Sequence, residues 1–397
     1  MFERSCDIAI IGGGPAGSHL ASRLAGEGRD CVLFDPRGAW EKPCGGGVPT
    51  RALKEFAFLL ESTSYPRKLI QQITMISPLE RRVTVKFPTP FAIYSRKVLN
   101  GLMLDRAVEA GTEFQKVSVT GFSRDKRGWV ISTDDGSSWR ARFLVGADGA
   151  ASPTRRRLIG IFPVCDLALA FGYNVADEEA GRSGQGAQEE VVIRFPKNFT
   201  GYLWAFPRPG VMNFGVASKL GEKTSDELRQ LLKGFVEDYY GGSMPRRERV
   251  SFFGAKIPTL DLKSWRGLRA CGEGWALVGD AAGFADPITG EGIYYAFKSS
   301  DMLADALLAQ DGGQYSTAVT RYESSWRETI GHELEHASYR LPQFYHGKFF
   351  GHVFTDAVVR LARYHRGVRT VLVRALMGEQ SYVTLKRDLL RRAYQFI

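Results

Sequence analysis

The chain has 397 residues, of which 44% are hydrophobic and 24% charged, and its formal net charge is +10. This composition predicts a soluble globular protein of roughly two to three domains, and no run approaches the ~18 apolar residues of a membrane span. The five cysteines are scattered and lack a Cys-x-x-Cys spacing. That pattern argues against a disulfide framework and a zinc site, and it predicts a reducing, cytoplasmic location.

The N-terminal segment has the pattern of a βαβ unit. Residues 6–11 are an apolar run typical of a buried parallel strand, residues 18–25 have helical periodicity, and residues 31–34 are a second apolar run. A glycine-rich turn lies between the first strand and the helix, and Asp35 follows the second strand. This order is typical of a dinucleotide-binding fold, whereas a glycine turn alone would also fit an ordinary α/β protein.

Three glycines of this turn have separate expected roles. Gly12 permits the tight turn, Gly14 lets the backbone approach a pyrophosphate, and Gly17 lets the helix pack close to the sheet. The helix N-terminus offers free N–H groups and a partial positive charge to the phosphates. Asp35 is placed to accept hydrogen bonds from a ribose.

The rest of the chain predicts short strands and helices, followed by a helical end from about residue 315. A β-rich block at 165–265 is interpreted as most of a substrate domain laid on the nucleotide domain. The other predicted elements are a glycine-rich loop at 42–49, short strands within 70–94, a helix from Arg96 to Ala110 ended by Gly111, strands near 114–122, 129–133 and 142–145, a hairpin of 202–206 and 213–217 with its turn at 207–210, a helix near 224–240, a strand within 274–283, and a helix from Ile293 to Leu308.

The βαβ unit alone does not distinguish FAD from NAD, but two later segments favour FAD. FAD is long, and an extended FAD needs a second acidic group near its ribityl chain; Gly279 and Asp280 follow a strand and suit that place. Residues 287–293 (PITGEGI) would bring backbone N–H groups and a second helix N-terminus to the pyrimidine end of the flavin. There they would favour the negative charge of a reduced flavin. An aspartate-capped turn is the alternative interpretation of Asp280.

These motifs resemble those of the FAD-dependent para-hydroxybenzoate hydroxylase superfamily. The three motifs of that superfamily stand here at residues 12–17, 146–149 and 279–280. The superfamily also places an arginine at the start of the helix that follows the first β-excursion. This arginine is Arg96 here, and the resemblance implies that it contacts the cofactor.

Further segments resemble the geranylgeranyl reductase family in particular. They are residues 43–47 (PCGGG), the hairpin segments 202–207 (YLWAFP) and 213–216 (NFGV), and residues 286–293 (DPITGEGI). Residues 378–382 (GEQSY) also look familial, so the resemblance covers nearly the whole chain. Phe214 stands where the family usually has valine.

The resemblance implies an α/β fold, with a Rossmann-type FAD-binding domain, a β-rich substrate domain and a helical C-terminal region. The predicted boundaries are 1–70, 95–164 and 266–330 for the discontinuous FAD-binding domain, 71–94 and 165–265 for the substrate-binding domain, and 331–397 for the helical region. The predicted cofactor-binding residues are Gly12, Gly14, Pro15, Ala16, Gly17, Asp35, Pro36, Cys44, Gly45, Gly46, Arg96, Asp148, Gly149, Gly279, Asp280, Pro287, Gly290, Gly292 and Ile293. We predict no metal.

Cys44 and an aromatic stripe are the predicted reaction site. A thiol among glycines would contact the flavin or relay a proton, and the alternative is a small loop cysteine kept for fit. Tyr202, Trp204 and Phe206 are two residues apart and therefore share one face of a strand. They would form an apolar wall for a long substrate chain, and the alternative is an ordinary β core face.

The resemblance implies an FAD-dependent reductase that saturates carbon–carbon double bonds of a prenyl chain by hydride transfer from N5 of the reduced flavin. No second nucleotide domain is evident in the sequence, so an external donor, NADPH or ferredoxin, would reduce the flavin. The alternative is a flavin-dependent monooxygenase of the same superfamily, hydroxylase- or halogenase-like, acting on an aromatic or polyketide-like substrate. A third hypothesis is a membrane-surface flavoprotein that only binds lipid or relays electrons.

Much of the positive charge lies near the C-terminus. Residues 340–397 contain eleven Lys and Arg against three acidic residues. We predict that this region docks peripherally on an anionic membrane surface, and a solvated helical face is the alternative. No nucleic-acid motif accompanies the charge, so nucleic acid is not an expected partner. The apolar residues interspersed with the charges are Phe349, Phe350, Phe354, Leu361 and Tyr364.

A histidine pair also occurs in this part of the chain. His332 and His336 are four residues apart, and the string HELEH matches the helical zinc-protease pattern. No third ligand pattern follows it. We therefore interpret these residues as a solvated helix face.

Overall fold

The computed structural model describes residues 4–176, 190–310, 315–349 and 351–394. The strands, numbered β1 to β18 in chain order, are Arg4–Ile11, Cys31–Phe34, Gly47–Val48, Arg67–Ile76, Arg82–Tyr94, Glu113–Gln115, Val119–Asp125, Gly128–Thr133, Ser138–Gly146, Leu167–Ala176, Val191–Arg194, Gly201–Arg208, Val211–Lys219, Val250–Pro258, Cys271–Gly272, Trp275–Leu277, Lys348–Phe349 and His352–Val353. The α-helices, numbered α1 to α13, are Pro15–Gly26, Thr50–Glu55, Phe58–Glu61, Arg96–Glu109, Pro153–Leu158, Ser225–Tyr239, Leu262–Arg266, Ile293–Leu308, Tyr315–Trp326, His332–His346, Phe354–Tyr364, Arg366–Leu376 and Leu385–Tyr394.

The first sheet is of Rossmann type, with the order β15–β16–β9–β1–β2–β6; it is parallel from β16 to β6, while β15 and the hairpin β7–β8 beside β9 pair in antiparallel fashion. β1 pairs in parallel with β2 and β9, and β9 pairs in parallel with β16. The register places Ile11 beside Phe34 and Gly146, and Gly146 beside Leu277. The carboxyl ends of four strands therefore meet at one edge, where open α/β sheets bind their ligands.

Helix α1 connects β1 to β2 as the βαβ pattern predicts. It begins at Pro15, whose fixed φ suits the first turn of a helix. Leu20, Ala21 and Leu24 are fully buried, and the helix packs against α4 and α8. This packing fixes the direction in which the N-terminus of α1 points, which is toward the edge described above.

The second sheet is mainly antiparallel, with the order β14–β10–β13–β12–β11–β4–β5–β3. One pair, β4 with β11, is parallel. The predicted hairpin forms its centre as β12 and β13, and Leu228, Leu232 and Phe235 of α6 cover one side of it. The sheet lies across the first sheet's ligand edge and supplies the other wall of the cavity described below.

The C-terminal helices cover both sheets. Helix α9 joins the core of the first sheet, and a π-helical turn at Arg327–Gly331 leads into α10. Helices α10 to α13 share a core with β4 and β5, in which Val359 and Leu372 pack with Ile73 and Val85. Within the described ranges, no helix combines the length and apolar character needed to cross a bilayer.

Three predicted details are wrong. The short strands predicted within residues 70–94 are instead parts of two long antiparallel strands, β4 and β5. Pro88 and Pro90, which lack an N–H, do not end β5, because they lie in a bulge at residues 87–90 that is not paired with β4. The hairpin turn is shorter than 207–210, since β12 and β13 stay paired up to Arg208 and Val211. The C-terminal region is interrupted by the small hairpin β17–β18. The domain boundaries given above stay a prediction.

Candidate active site

A cavity of about 990 Å³ lies between the two sheets, at the carboxyl edge of the first. Nearly all of the predicted site residues line it, although they come from segments spread over most of the chain. The three that do not are Gly17, Gly279 and Pro287. Gly279 has φ +56°, and a Cβ there would lie 3.0 Å from the Cβ of Ala16, so it serves close packing.

The glycine turn is tight on one side and open on the other. Gly12 has φ +109°, and a Cβ there would lie 2.5 Å from the carbonyl oxygen of Ala147. At Gly17 an added Cβ would lie 1.9 Å from the carbonyl oxygen of Gly12. At Gly14, by contrast, a Cβ would meet no atom within 4 Å. The space beside Gly14 is therefore free for a ligand, and no side chain caps the helix that begins there.

Asp35 holds the glycine turn as well as facing the cavity. Its Oδ2 accepts a hydrogen bond from the N–H of Gly13 at 2.8 Å, and its Oδ1 accepts from Arg37 at 2.8 Å. The carboxylate is only 5% exposed but lines the cavity. Oδ1 also accepts from the N–H of Gly38 at 3.1 Å, so Oδ2 is the oxygen that keeps a second lone pair for a ribose hydroxyl.

Asp148 organises the next turn along the edge. One carboxylate oxygen accepts from the Ser152 hydroxyl, and the other accepts from the N–H of Thr154 at 2.9 Å, at the start of α5. Burial raises the pKa of Asp148, although these hydrogen bonds oppose the shift. Gly149 has φ +86°, a conformation that favours glycine.

Asp280 is paired across the cavity with a lysine that the sequence did not single out. Lys42 Nζ lies 2.8 Å from Asp280 Oδ2. Burial alone would raise the pKa of Asp280, but the charges of Lys42 and Arg96 outweigh it and lower that pKa. Next to this pair, α8 begins after Gly292, which has no capping side chain, but the N–H of Tyr294 donates to Glu291 Oε1 at 2.6 Å. The N-terminus of α8 is therefore only partly open to a ligand.

The Cys44 loop is clamped by Arg208, at the end of β12. Arg208 donates hydrogen bonds to the carbonyl of Cys44, to the carbonyl of Gly45 at 3.1 Å and to Glu41 Oε1 at 2.9 Å. The arginine is 4% exposed. The second sheet therefore holds the loop that the sequence places beside the flavin.

Glu41 extends this clamp to the helix that carries Arg96. Its carboxylate accepts from the N–H groups of Arg96 and Lys97, both at 3.0 Å, and from the Ser95 hydroxyl. A carboxylate at a helix N-terminus is favourable because it meets the positive end of the helix dipole. Arg96 is 4% exposed, and its Nε has no hydrogen-bond partner in the part of the chain that the structure describes.

The charges around Cys44 favour its thiolate. Burial alone would raise the pKa of the thiol, but Arg96, the N–H of Gly46 at 3.3 Å and Arg208 outweigh burial and lower that pKa. A lowered pKa distinguishes Cys44 from Cys6 and Cys31, whose burial raises their pKa values to about 12 and about 11. A lowered pKa favours proton transfer by the Cys44 thiol, whereas a cysteine with only a packing role needs no such shift.

Tyr202, Trp204 and Phe206 lie side by side in the lining of the cavity, and Gly215 leaves room for the indole of Trp204. The ring centroids of Tyr202 and Trp204 are 5.9 Å apart, and those of Trp204 and Phe206 are 6.3 Å apart. Trp204 Nε1 donates to Asn213 Oδ1 at 2.7 Å, and a Cβ at Gly215 would lie 2.0 Å from the indole. The hairpin motif therefore fixes the orientation of the indole, which the strand period alone does not specify.

Beyond the wall the cavity continues as an apolar chamber that the sequence did not predict. It runs between β4, β11 and the C-terminal helices. Its apolar lining comprises Ile73, Met75, Ile193, Phe195, Phe344, Leu372, Leu376 and Leu385.

The residues present fit an FAD. The open space at Gly14, the uncapped N-terminus of α1, the partly open N-terminus of α8 and Arg96 all border one cavity, and Arg96 Nε has no partner among the described residues. Anionic groups bind at such helix N-termini and beside buried arginines. Gly12, Asp35 and Asp148 would border the adenosine half, and Cys44, Asp280 and Gly292 the flavin half.

Comparison with known proteins agrees with this fit. The family model described as "FAD binding domain" matches residues 5–165. Geranylgeranyl diphosphate reductase of Rhodobacter capsulatus is 29% identical over 320 residues, which cover 76% of this chain and 75% of that protein. Digeranylgeranylglycerophospholipid reductase 2 of Methanothermobacter thermautotrophicus is 28% identical over 348 residues, which cover 83% and 85%. The chain therefore carries an FAD-binding domain and is similar, over three quarters or more of its length, to proteins named as geranylgeranyl reductases.

A solved structure shows the same fold. The geranylgeranyl bacteriochlorophyll reductase-like protein of Thermoplasma acidophilum superposes on this flavoenzyme with a TM-score of 0.80 at 20% identity. The match covers 98% of this chain and 100% of that chain. The predicted α/β fold, the FAD-binding domain and the similarity to geranylgeranyl reductases are therefore confirmed, while the roles of individual residues remain predictions.

Sequence reasoning missed several residues of this flavoenzyme's site. Arg208, Glu41 and Lys42 contact predicted residues but have no motif of their own. Arg51 lies over the ring of Tyr294 at 3.9 Å and pairs with Glu291 at 3.3 Å, where burial raises the pKa of Glu291. Proximity to the recognised loops was the signal available for Glu41 and Lys42.

The interpretation of HELEH as a solvated face is wrong for one of its residues. Glu333 accepts hydrogen bonds from the Ser381 hydroxyl and from the N–H of Tyr382 at 3.0 Å, because the 378–382 segment folds back onto α10. The grouping of potential metal ligands found among the described residues is Cys165, Asp166 and Asp261, and it does not include the histidine pair.

The reactivity of Cys44 gives a direct test of its electrostatic setting. In the apoprotein carrying Cys165→Ser, which removes the exposed cysteine, we expect alkylation by iodoacetamide to be half-maximal at a pH below 9.0, the ordinary thiol value. The reason is that Arg96 and Arg208 stabilise the thiolate. Mass spectrometry of peptides across a pH series measures the profile, and Cys44→Ala is the blank. A half-maximal pH at or above 9.0 would contradict the expectation.

Proposed function

We propose that this protein is an FAD-dependent reductase that saturates carbon–carbon double bonds of a prenyl chain. The observation that carries the proposal is the apolar chamber, which continues from the Cys44 loop past the aromatic wall to the C-terminal helices. A long hydrocarbon gains free energy by filling such a chamber, whereas a small polar substrate does not. The names of the two relatives, which act on geranylgeranyl compounds, support the same substrate class.

The chain's residues would bind the alkene and deliver one proton. A bound, reduced FAD would supply the hydride for one alkene carbon, and the neighbouring carbon would then require a proton from the protein. Cys44 is the proposed donor, because Arg96 and Arg208 lower the pKa of its thiol and so make it a stronger acid than an ordinary cysteine. Trp204 and Phe206 would hold the alkene in place and exclude water. The external reductant remains NADPH or ferredoxin.

Anaerobic turnover with a prenyl panel tests the proposal. The purified holoenzyme is reduced chemically and incubated without oxygen with geranylgeranyl diphosphate, a digeranylgeranylglycerophospholipid and a menaquinone. We expect products heavier by two hydrogens per bond reduced, detected by mass spectrometry. Turnover that requires oxygen and adds an oxygen or halogen atom to an aromatic substrate would establish the monooxygenase instead. Absence of any product with either class would favour the lipid-binding or electron-relay hypothesis.

A bulky substitution in the apolar chamber provides a structural test. Leu376→Trp fills the chamber from α12, and we expect at least a roughly tenfold loss of prenyl reduction with the spectrum of bound FAD unchanged. Thr370→Trp on the exposed side of the same helix is the matched control. Equal activity of the two variants would show that the substrate lies elsewhere.

Docking on an anionic membrane also remains a proposal, and the structure changes its physical basis. Phe349 is buried, while Phe354 and Leu361 pack on the second sheet's core, so of these residues Tyr364 is the one that is largely exposed, at 80%. Phe350 lies outside the described residues. The docking would therefore be mainly electrostatic. The exposed basic residues are Lys348, Arg363, Arg366, Arg369, Arg374, Lys386, Arg387, Arg391 and Arg392.

Vesicle co-sedimentation measures this docking. We expect the bound fraction to rise with phosphatidylglycerol content and to fall with salt, because each basic residue near an anionic surface contributes about 1 kcal/mol. The double variant Arg363→Glu/Arg366→Glu should weaken binding severalfold. Lys126→Glu/Arg127→Glu, at an exposed turn of the first sheet, changes the net charge equally and should have little effect. Binding that ignores anionic lipid would contradict docking.

A further inference from the structure

Residues 286–292, the flavin-facing loop, are held together by the side chain of Asp286. Asp286 Oδ1 accepts from the N–H groups of Ile288 at 2.8 Å and Thr289 at 3.2 Å. The backbone of Asp286 is also bonded to Gly290 and Glu291, each at 2.8 Å. With 4% of Asp286 exposed, these contacts are sheltered from water, and they shape the loop that leads into α8.

The loop is tied from outside by the C-terminal region. The Tyr382 hydroxyl donates to Asp286 Oδ2 at 2.6 Å. The N–H of Tyr382 and the hydroxyl of Ser381 both donate to Glu333 of α10. An unbroken path of hydrogen bonds therefore runs from α10, through the 378–382 segment, to the flavin-facing loop.

We propose that Glu333, Ser381, Tyr382 and Asp286 form a positioning relay that fixes the flavin-facing loop and thereby sets the reduction potential of the flavin. This inference rests on the placement of FAD in the proposed function. It gives a role to Glu333 of HELEH and to the GEQSY segment, neither of which the reaction itself uses.

The physical basis is the orientation of backbone N–H groups at the start of α8. N–H groups and a helix N-terminus stabilise the negative charge of a reduced flavin, and their effect depends steeply on distance. Burial and the charge of Asp286 raise the pKa of Tyr382, so its phenol stays protonated and keeps donating. A loosened relay lets the loop move away, which disfavours the reduced flavin.

Two substitutions break the relay at different points. Tyr382→Phe keeps the ring and removes the bond to Asp286, and Glu333→Gln removes an acceptor for the 381–382 segment. Matched controls are Tyr364→Phe, an exposed tyrosine on α11, and Glu335→Gln, which belongs to the same HELEH string and pairs with Arg266 at 3.3 Å on the surface.

The midpoint potential and visible spectrum of bound FAD are measured in holoenzyme without any prenyl substrate. We expect each relay variant to disfavour two-electron reduction about tenfold, which corresponds to a potential about 30 mV lower, and the controls to match the wild type. The double variant should shift no further than the larger single shift, because both act through one path. Hydrogen exchange of the 286–292 amides in the apoprotein should be faster in both relay variants.

Potentials and spectra equal to those of the controls would overturn the relay, and so would additive shifts in the double variant. If a relay variant does not retain FAD, Ser381→Ala is measured in its place, and a wild-type potential there would also overturn the relay. A shifted potential with no prenyl product in any variant or in the wild type would refute the proposed function alone.

Discussion

Gly17→Ala is expected to abolish FAD binding and to destabilise the protein by about 3 kcal/mol or more. The added methyl would lie 1.9 Å from the carbonyl oxygen of Gly12. Both the methyl and this oxygen are attached directly to the backbone, so neither can move away without shifting the main chain. Urea unfolding of the apoprotein and flavin release after desalting measure the two effects.

Gly14→Ala is the matched control, three residues earlier in the same turn. Its methyl would meet no protein atom within 4 Å, so the unfolding free energy of the apoprotein should change by less than about 1 kcal/mol. The methyl would occupy the space assigned to the pyrophosphate, and FAD affinity should fall at least roughly tenfold. Unchanged FAD affinity in Gly14→Ala would show that the cofactor does not approach this turn.

Arg208→Met should be the most damaging substitution on the second sheet. It leaves the carbonyls of Cys44 and Gly45 without their donor, at a cost of about 1–3 kcal/mol for each, and it removes the ion-pair partner of Glu41, which keeps its other hydrogen bonds. We expect FAD release and loss of turnover, since the Cys44 loop loses its attachment. Thermal unfolding and flavin content are the measurements.

Arg194→Met tests whether the loss of any arginine on this sheet would do the same. Arg194, on β11, pairs with Glu80 and Asp238, whose side chains are both 62% exposed. Exposed pairs contribute about 0–1 kcal/mol, so this variant should keep its FAD and most of its stability. Equal damage from the two substitutions would mean that Arg208 has no special relation to the flavin loop.

The βαβ unit, the central hairpin and α8 could be predicted from the sequence, because each has a local periodicity and is bounded by residues that favour turns. It did not reveal Arg208, since the partners of this residue lie more than 160 positions earlier and a strand arginine has no signature. Glu333 was misjudged for the same reason: helical periodicity identifies a face, and only the fold shows that Ser381 and Tyr382 cover it.

The apolar chamber shows a second limit. Its lining comes from β4, β11 and three C-terminal helices, and each of these residues also looks like ordinary core in its own segment. The predicted aromatic wall was visible because three aromatic residues share one strand face. A cavity made by distant helices leaves no comparable pattern.

The parallel register of β1, β9 and β16 has a consequence for biosynthesis. The ligand edge begins with β1, which leaves the ribosome well before β9 and β16, and it is completed only after Leu277 and the start of α8 have followed. Nascent chains therefore carry an unfinished parallel sheet through much of their synthesis, and pairing between such distant segments is slow and prone to aggregation. A cofactor that binds the completed edge stabilises the finished chain by mass action, so flavin supply during expression would raise the yield of folded protein.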